Sequence, residues 1–195
     1  MSLISRVKTA LLIGAALVAA PFCVSAQSDF PRQALCVSCH GAQGKSDIKG
    51  IPSLAGQPKL FIENQLILIR EGIRDIPSMK GMLDGLTDDE AIVIAKYYAG
   101  LPLTEVPADK DPQLFAQGEK LAQAMRCGIC HLPNYMGRDQ IPRLAGQRDD
   151  FLLHSLQQFR NGQAIGRDSN MAASVIGVSD AELTALSYYL ARIKP

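Results

Sequence analysis

The sequence predicts an all-α fold, assembled twice along one 195-residue chain. Three observations carry that expectation. A stretch around Cys36 returns around Cys127, and the similarity continues to the C-terminal helices at offsets of 90 to 92 residues. Ser/Thr-x-x-Glu signatures, which cap helices reciprocally, open the last segment of each half. Nowhere does a run of alternating apolar and polar residues grow long enough to build a sheet.

Taken in order, residues 1–26 read as a secretory signal peptide. Arg6 and Lys8 precede an apolar run from Ala10 to Ala20, and Val24-Ser25-Ala26 offers small residues for cleavage. The run is shorter than the roughly 20 residues a bilayer requires. An uncleaved anchor helix is the alternative. Cleavage removes Cys23 and leaves four cysteines, with 18 basic against 19 acidic residues. Such a balance supplies no basic footprint for nucleic acid.

The first repeat covers 27–100, a Pro-containing linker covers 101–111, and the second repeat covers 112–195. In the second, Asp111 caps a helix beginning at Pro112, while the first has only a short stretch in that place. The middle helices span 58–71 and 148–161, each ended by a glycine suited to the left-handed position. The last helices begin at Thr87-x-x-Glu90 and Ser179-x-x-Glu182. Units of about 80–90 residues bury a limited core unaided. A large apolar cofactor in each would complete the interior.

The repeated chemistry is Cys36-Val37-Ser38-Cys39-His40 and Cys127-Gly128-Ile129-Cys130-His131. Two thiols at this spacing reach two points on one planar ligand, and the following His points beneath its centre. Two covalently attached haem c groups fit, each taking a cysteine pair as thioethers and a His on its iron. A thioredoxin-like pair would need a βαβ context. A structural zinc would have to pool ligands from pairs 91 residues apart. A disulfide within each pair is the remaining alternative.

Both motifs, both Pro-x-Leu-Ala-Gly-Gln stretches (52–57 and 142–147) and a Met before each final helix make the chain resemble the cytochrome c4 family. The resemblance runs across essentially all of 27–195. It implies two tandem class I cytochrome c domains, each wrapped around a His/Met-ligated haem, carrying electrons in the periplasm toward terminal oxidases. It also implies that the carbonyls of Pro52 and Pro142 accept the Nδ1–H of His40 and His131, although each could be a simple turn proline.

Within that frame the duplication selects the sixth ligands. Met79 precedes Thr87 by eight residues, as Met171 precedes Ser179. Met82, the rival, is matched by Ser174. The expected iron ligands are therefore His40, Met79, His131 and Met171, with Met125, Met136 and Met82 filling space. His154 has no counterpart and reads as an ordinary helix residue; Tyr97 and Tyr189 read as packing residues. The expected function is single-electron transfer between redox proteins such as a quinol-oxidising complex, a terminal oxidase or a dehydrogenase, with peripheral membrane association open. A dedicated dehydrogenase subunit is the runner-up, and a di-haem peroxidase stands behind it.

Overall fold

The protein is described by a computed structural model, in which residues 30–103, 106–108 and 110–194 are described. The signal-peptide segment lies outside them. Among the described residues there are helices and no strand, only an isolated bridge between Arg138 and Ile141. The all-α expectation is met. No described helix is long and apolar enough to cross a membrane.

The first half comprises α1 (Gln33–His40), α2 (Lys59–Arg70), a 3-10 turn at Pro77–Met79 and α3 (Asp88–Gly100). The second comprises α4 (Pro112–Ala124), α5 (Gly128–His131), α6 (Asp149–Arg160), α7 (Ser169–Ser174) and α8 (Asp180–Arg192). Both anticipated capping boxes form. Thr87 N–H donates to Glu90 at 2.8 Å and Glu90 N–H returns to Thr87 Oγ1 at 3.2 Å. Ser179 and Glu182 repeat this at 2.8 and 3.3 Å. Satisfying otherwise orphaned N–H groups starts these helices at a defined residue.

Each half has its own core. In the first, Ile62 and Leu66 of α2 meet Ala91, Ile94 and Tyr98 of α3. In the second, Leu152, Leu156 and Phe159 of α6 meet Leu183, Leu186 and Leu190 of α8. Helix α4 then crosses α8, and the crossing is tight because Gly118 has no side chain. A Cβ there would lie 2.1 Å from the Ala185 carbonyl oxygen. Gly118→Val should push α4 off α8 and cost about 2–3 kcal/mol by overpacking, measured by denaturant unfolding; an unchanged midpoint would contradict this close crossing.

Among the described residues the first half has no counterpart of α4, consistent with the short stretch read from the sequence. The consequence shows on α3. Val93, matching the fully buried Ala185, remains 45% exposed, and neighbouring Ile92 is 43% exposed. Phe30 supplies part of the missing cover, packing on Tyr97 with 4.5 Å between ring centroids, as Phe115 packs on Tyr189 at 5.0 Å.

The described linker residues pack against both halves. Leu103 sits over Gly56 and Val106 over Gly146, while Tyr188 Oη accepts the backbone N–H groups of Lys110 and Asp111 at 2.9 Å.

Candidate haem-binding sites

Both pentapeptide motifs end on a buried histidine. Cys36, Cys39 and His40 lie on α1, and Cys130 and His131 on α5 with Cys127 just before it. Cys39 and Cys130 are exposed, Cys36 and Cys127 are half-buried, and no disulfide joins them. Burial pushes the thiol pKa of Cys36 and Cys127 up. Among the described residues no three His, Cys, Asp or Glu side chains cluster as a metal site, so a pooled zinc site has no geometric basis.

His40 Nδ1 lies 2.9 Å from the Pro52 carbonyl oxygen, and His131 Nδ1 lies 2.9 Å from that of Pro142. A carbonyl only accepts, so each Nδ1 must carry the proton. Nε2 is then left with its lone pair, the form an imidazole needs to bind a metal. Burial lowers the pKa of both histidines, partly offset by these hydrogen bonds, which keeps the rings neutral near pH 7. One geometry made twice, from loops one residue different in length, argues against two incidental turn prolines.

Met79 stands in the 3-10 turn and packs against the first core; Met171 stands on α7 and packs against the second. Their settings differ. Asp168 caps α7 by accepting the N–H groups of Asn170 and Met171 at 2.7 and 3.1 Å, whereas Pro77 opens the tighter turn. The sequence reading missed α7, because six residues between glycine-containing loops carry no helical periodicity. Met82 is exposed, and its carbonyl accepts from Arg32 at 3.1 Å. Met125 and Met136 pack against the second core, and His154 is exposed on α6.

The pockets beside the motifs are filled by different routes. Gly44 and Tyr135 occupy equivalent positions, both with positive φ, and each carbonyl accepts two N–H groups of the Leu-Ala pair that follows. In the second half Tyr135 packs edge-on against Tyr189. In the first, a Cβ on Gly44 would lie 3.1 Å from the ring of Tyr98, which enters from α3 instead. That tyrosine is fully buried and its hydroxyl lacks a partner. Such an orphan beside the Cys36 cluster suits a site whose remaining wall is a bound group. The chemistry therefore fits haem in both halves: paired thiols, a neutral buried imidazole and a thioether among apolar residues.

The Pro-x-Leu-Ala-Gly-Gln repeats have a second role that sequence reading did not find. Gln57 accepts the Arg143 N–H at 2.9 Å and donates to the Arg143 carbonyl at 3.0 Å. Gln147 does the same to Ser53, at 2.8 Å in both directions. Since Gln57 matches Gln147 and Ser53 matches Arg143, the contact is reciprocal, as across a two-fold axis. Only the second half adds Arg148, donating to the Ser46 carbonyl at 2.8 Å, and Asp150, accepting the Gly50 N–H at 2.8 Å. The signal available in the sequence was the repeated glutamine, for which neither haem attachment nor helix formation has a use.

Comparison with known proteins supports the same family and fold. The family profile described as cytochrome c matches residues 115–194, and that of the cytochrome c oxidase cbb3-type subunit III matches residues 32–97. Cytochrome c4 of Pseudomonas aeruginosa is 33% identical over 170 residues, covering 82% of this chain and 84% of that one. The crystal structure of reduced recombinant cytochrome c4 from Pseudomonas stutzeri superposes with a TM-score of 0.77 at 32% identity, covering 84% of this chain and 95% of the other. A thiosulfate dehydrogenase electron acceptor of Thiomonas intermedia is 29% identical over 197 residues, covering 95% of this chain and 90% of that protein.

Proposed function

The chain belongs to the cytochrome c4 family of electron-transfer cytochromes with two covalently bound haem c groups, and on that premise we propose that it is a periplasmic carrier of single electrons. Cys36 and Cys39 hold one haem and Cys127 and Cys130 the other, within units 27–100 and 112–195 joined by 101–111. His40 with Met79, and His131 with Met171, would be the protein ligands of the two irons.

The observation that carries this reading is the duplicated imidazole clamp, His Nδ1 to Pro carbonyl at 2.9 Å in both halves. When bound, haem supplies an iron that takes up and releases one electron. The chain's residues keep that exchange simple. Each clamp holds a ring in one tautomer and orientation, so no proton or ligand need move with the electron. A Met thioether from Met79 and Met171 would raise each iron's potential and leave no place there for oxygen or peroxide, the behaviour of a carrier and not of an enzyme in its own right. Its partners are redox proteins, among them a quinol-oxidising complex, a terminal oxidase or a dehydrogenase.

Optical spectroscopy tests the reading. Exported protein should carry two haems per chain, and its reduced spectrum should not change with carbon monoxide. One haem, or a clear adduct, would overturn the two-site His/Met assignment. Peroxide turnover by such a protein would replace the carrier reading with a di-haem peroxidase.

A second reading has its own support. The relative in Thiomonas intermedia bears the name of a dehydrogenase's electron acceptor, so this chain can be read as the dedicated cytochrome of a flavin- or quinoprotein dehydrogenase. Co-purification with one catalytic subunit at fixed stoichiometry would favour that over a free carrier.

A further inference from the structure

The one cation at the centre of the glutamine clasp is Arg143. It is 3% exposed, and among the described residues no carboxylate side chain pairs with it and its Nε has no partner. Its two terminal nitrogens donate to the carbonyls of Ala145 and Ala55, the latter at 2.9 Å. Those two alanines are equivalent residues of the repeats, three positions after Pro142 and Pro52. A guanidinium that bridges two equivalent carbonyls stands on the pseudo-two-fold axis between the halves. Burial lowers its pKa to about 10, so it stays charged at pH 7.

This placement explains why the repeats differ there. The matching residue is Ser53, also buried, and a second arginine would crowd two like charges onto one axis. The duplicated motif has room for a single guanidinium. Arg143 follows Pro142 in one loop, and its guanidinium reaches Ala55 in the other, so it bonds to both loops whose proline carbonyls hold His40 and His131. A fixed positive charge favours the state with one electron more. From the axis it acts on both sites.

We propose that Arg143 is a shared potential-setting residue, whose buried guanidinium on the pseudo-two-fold axis raises the reduction potentials of both haems together. The inference rests on the di-haem reading above. Arg143 is a positioning residue that acts through the field of its charge. No bond is made or broken in its role; the electron comes from the partner protein.

The test is spectroelectrochemical titration of holoprotein in wild type, Arg143→Gln, Arg143→Met and Arg143→Lys. Haem content and the carbon monoxide test are checked first, and failure there condemns the di-haem reading and not this inference. Two neutral variants are made because replacing a buried charge by an apolar side chain is often tolerated, and either suffices. Both potentials should fall in parallel in the neutral variants, enough to change the reduced-to-oxidised ratio about tenfold at fixed applied potential, equivalent to about 59 mV for one electron. Arg143→Lys should stay near wild type. The double variant Ser53→Arg with Arg143→Ser, which moves the guanidinium to the other half, should also keep both potentials near wild type. A shift confined to one haem, no shift, or an equal fall in Arg143→Lys would overturn the proposal.

Discussion

Met171→Ala will open one of the two haems to carbon monoxide, and Met79→Ala will open the other. In each variant about half of the reduced absorbance should move on adding the gas, because the proposed Met ligand of the other site is untouched. Met82→Ala should bind none, since that side chain is exposed while Met79 packs against the core. The opened haem should also fall in potential, as the Met ligand favours the reduced iron. A carbon monoxide adduct in Met82→Ala and none in Met79→Ala would reassign the first site. The effect should be all-or-none at one haem, whereas a packing methionine would change stability and leave the spectrum alone.

Gln57→Ala will loosen the contact between the halves. Its side chain satisfies both the N–H and the carbonyl of Arg143, and all of these groups are buried. Deleting it leaves two main-chain groups without partners, at about 1–3 kcal/mol each, so a loss of about 3 kcal/mol is expected. For a chain of this length that lowers the thermal midpoint by roughly 6–12 °C. Gln57→Glu should do comparable harm, because a carboxylate accepts the N–H but repels the carbonyl. Gln147→Ala should cost at least as much, since Gln147 serves Ser53 in the same way and also accepts the Arg148 N–H at 3.0 Å. A midpoint unmoved in both alanine variants would mean that water replaces the clasp at no cost.

Much of the fold was legible because its determinants are local. Capping depends on residues three apart, so Thr87-Glu90 and Ser179-Glu182 announce α3 and α8 unaided. The haem chemistry was equally legible, since Cys-x-x-Cys-His places all its groups within one helical turn. What escaped reading is short or reciprocal. Helix α7 is six residues held by the Asp168 cap, too brief for periodicity to register. Tyr98 and Tyr135 do related work from different elements, so alignment of the repeats pairs neither with the other.

By itself the sequence determined the all-α class, the duplication and the cysteine–histidine motif that points to covalent haem in each half, because every one of those features is written within a few consecutive residues or repeated in register. Only the tertiary structure decided how the two halves meet. Gln57 and Arg143 stand 86 residues apart, and nothing local connects them. The repeated glutamine gains its meaning only when two copies of the loop face one another and bury polar backbone that water can no longer serve. For the same reason Arg143 reads as a routine difference between repeats until the fold places its charge on the axis they share.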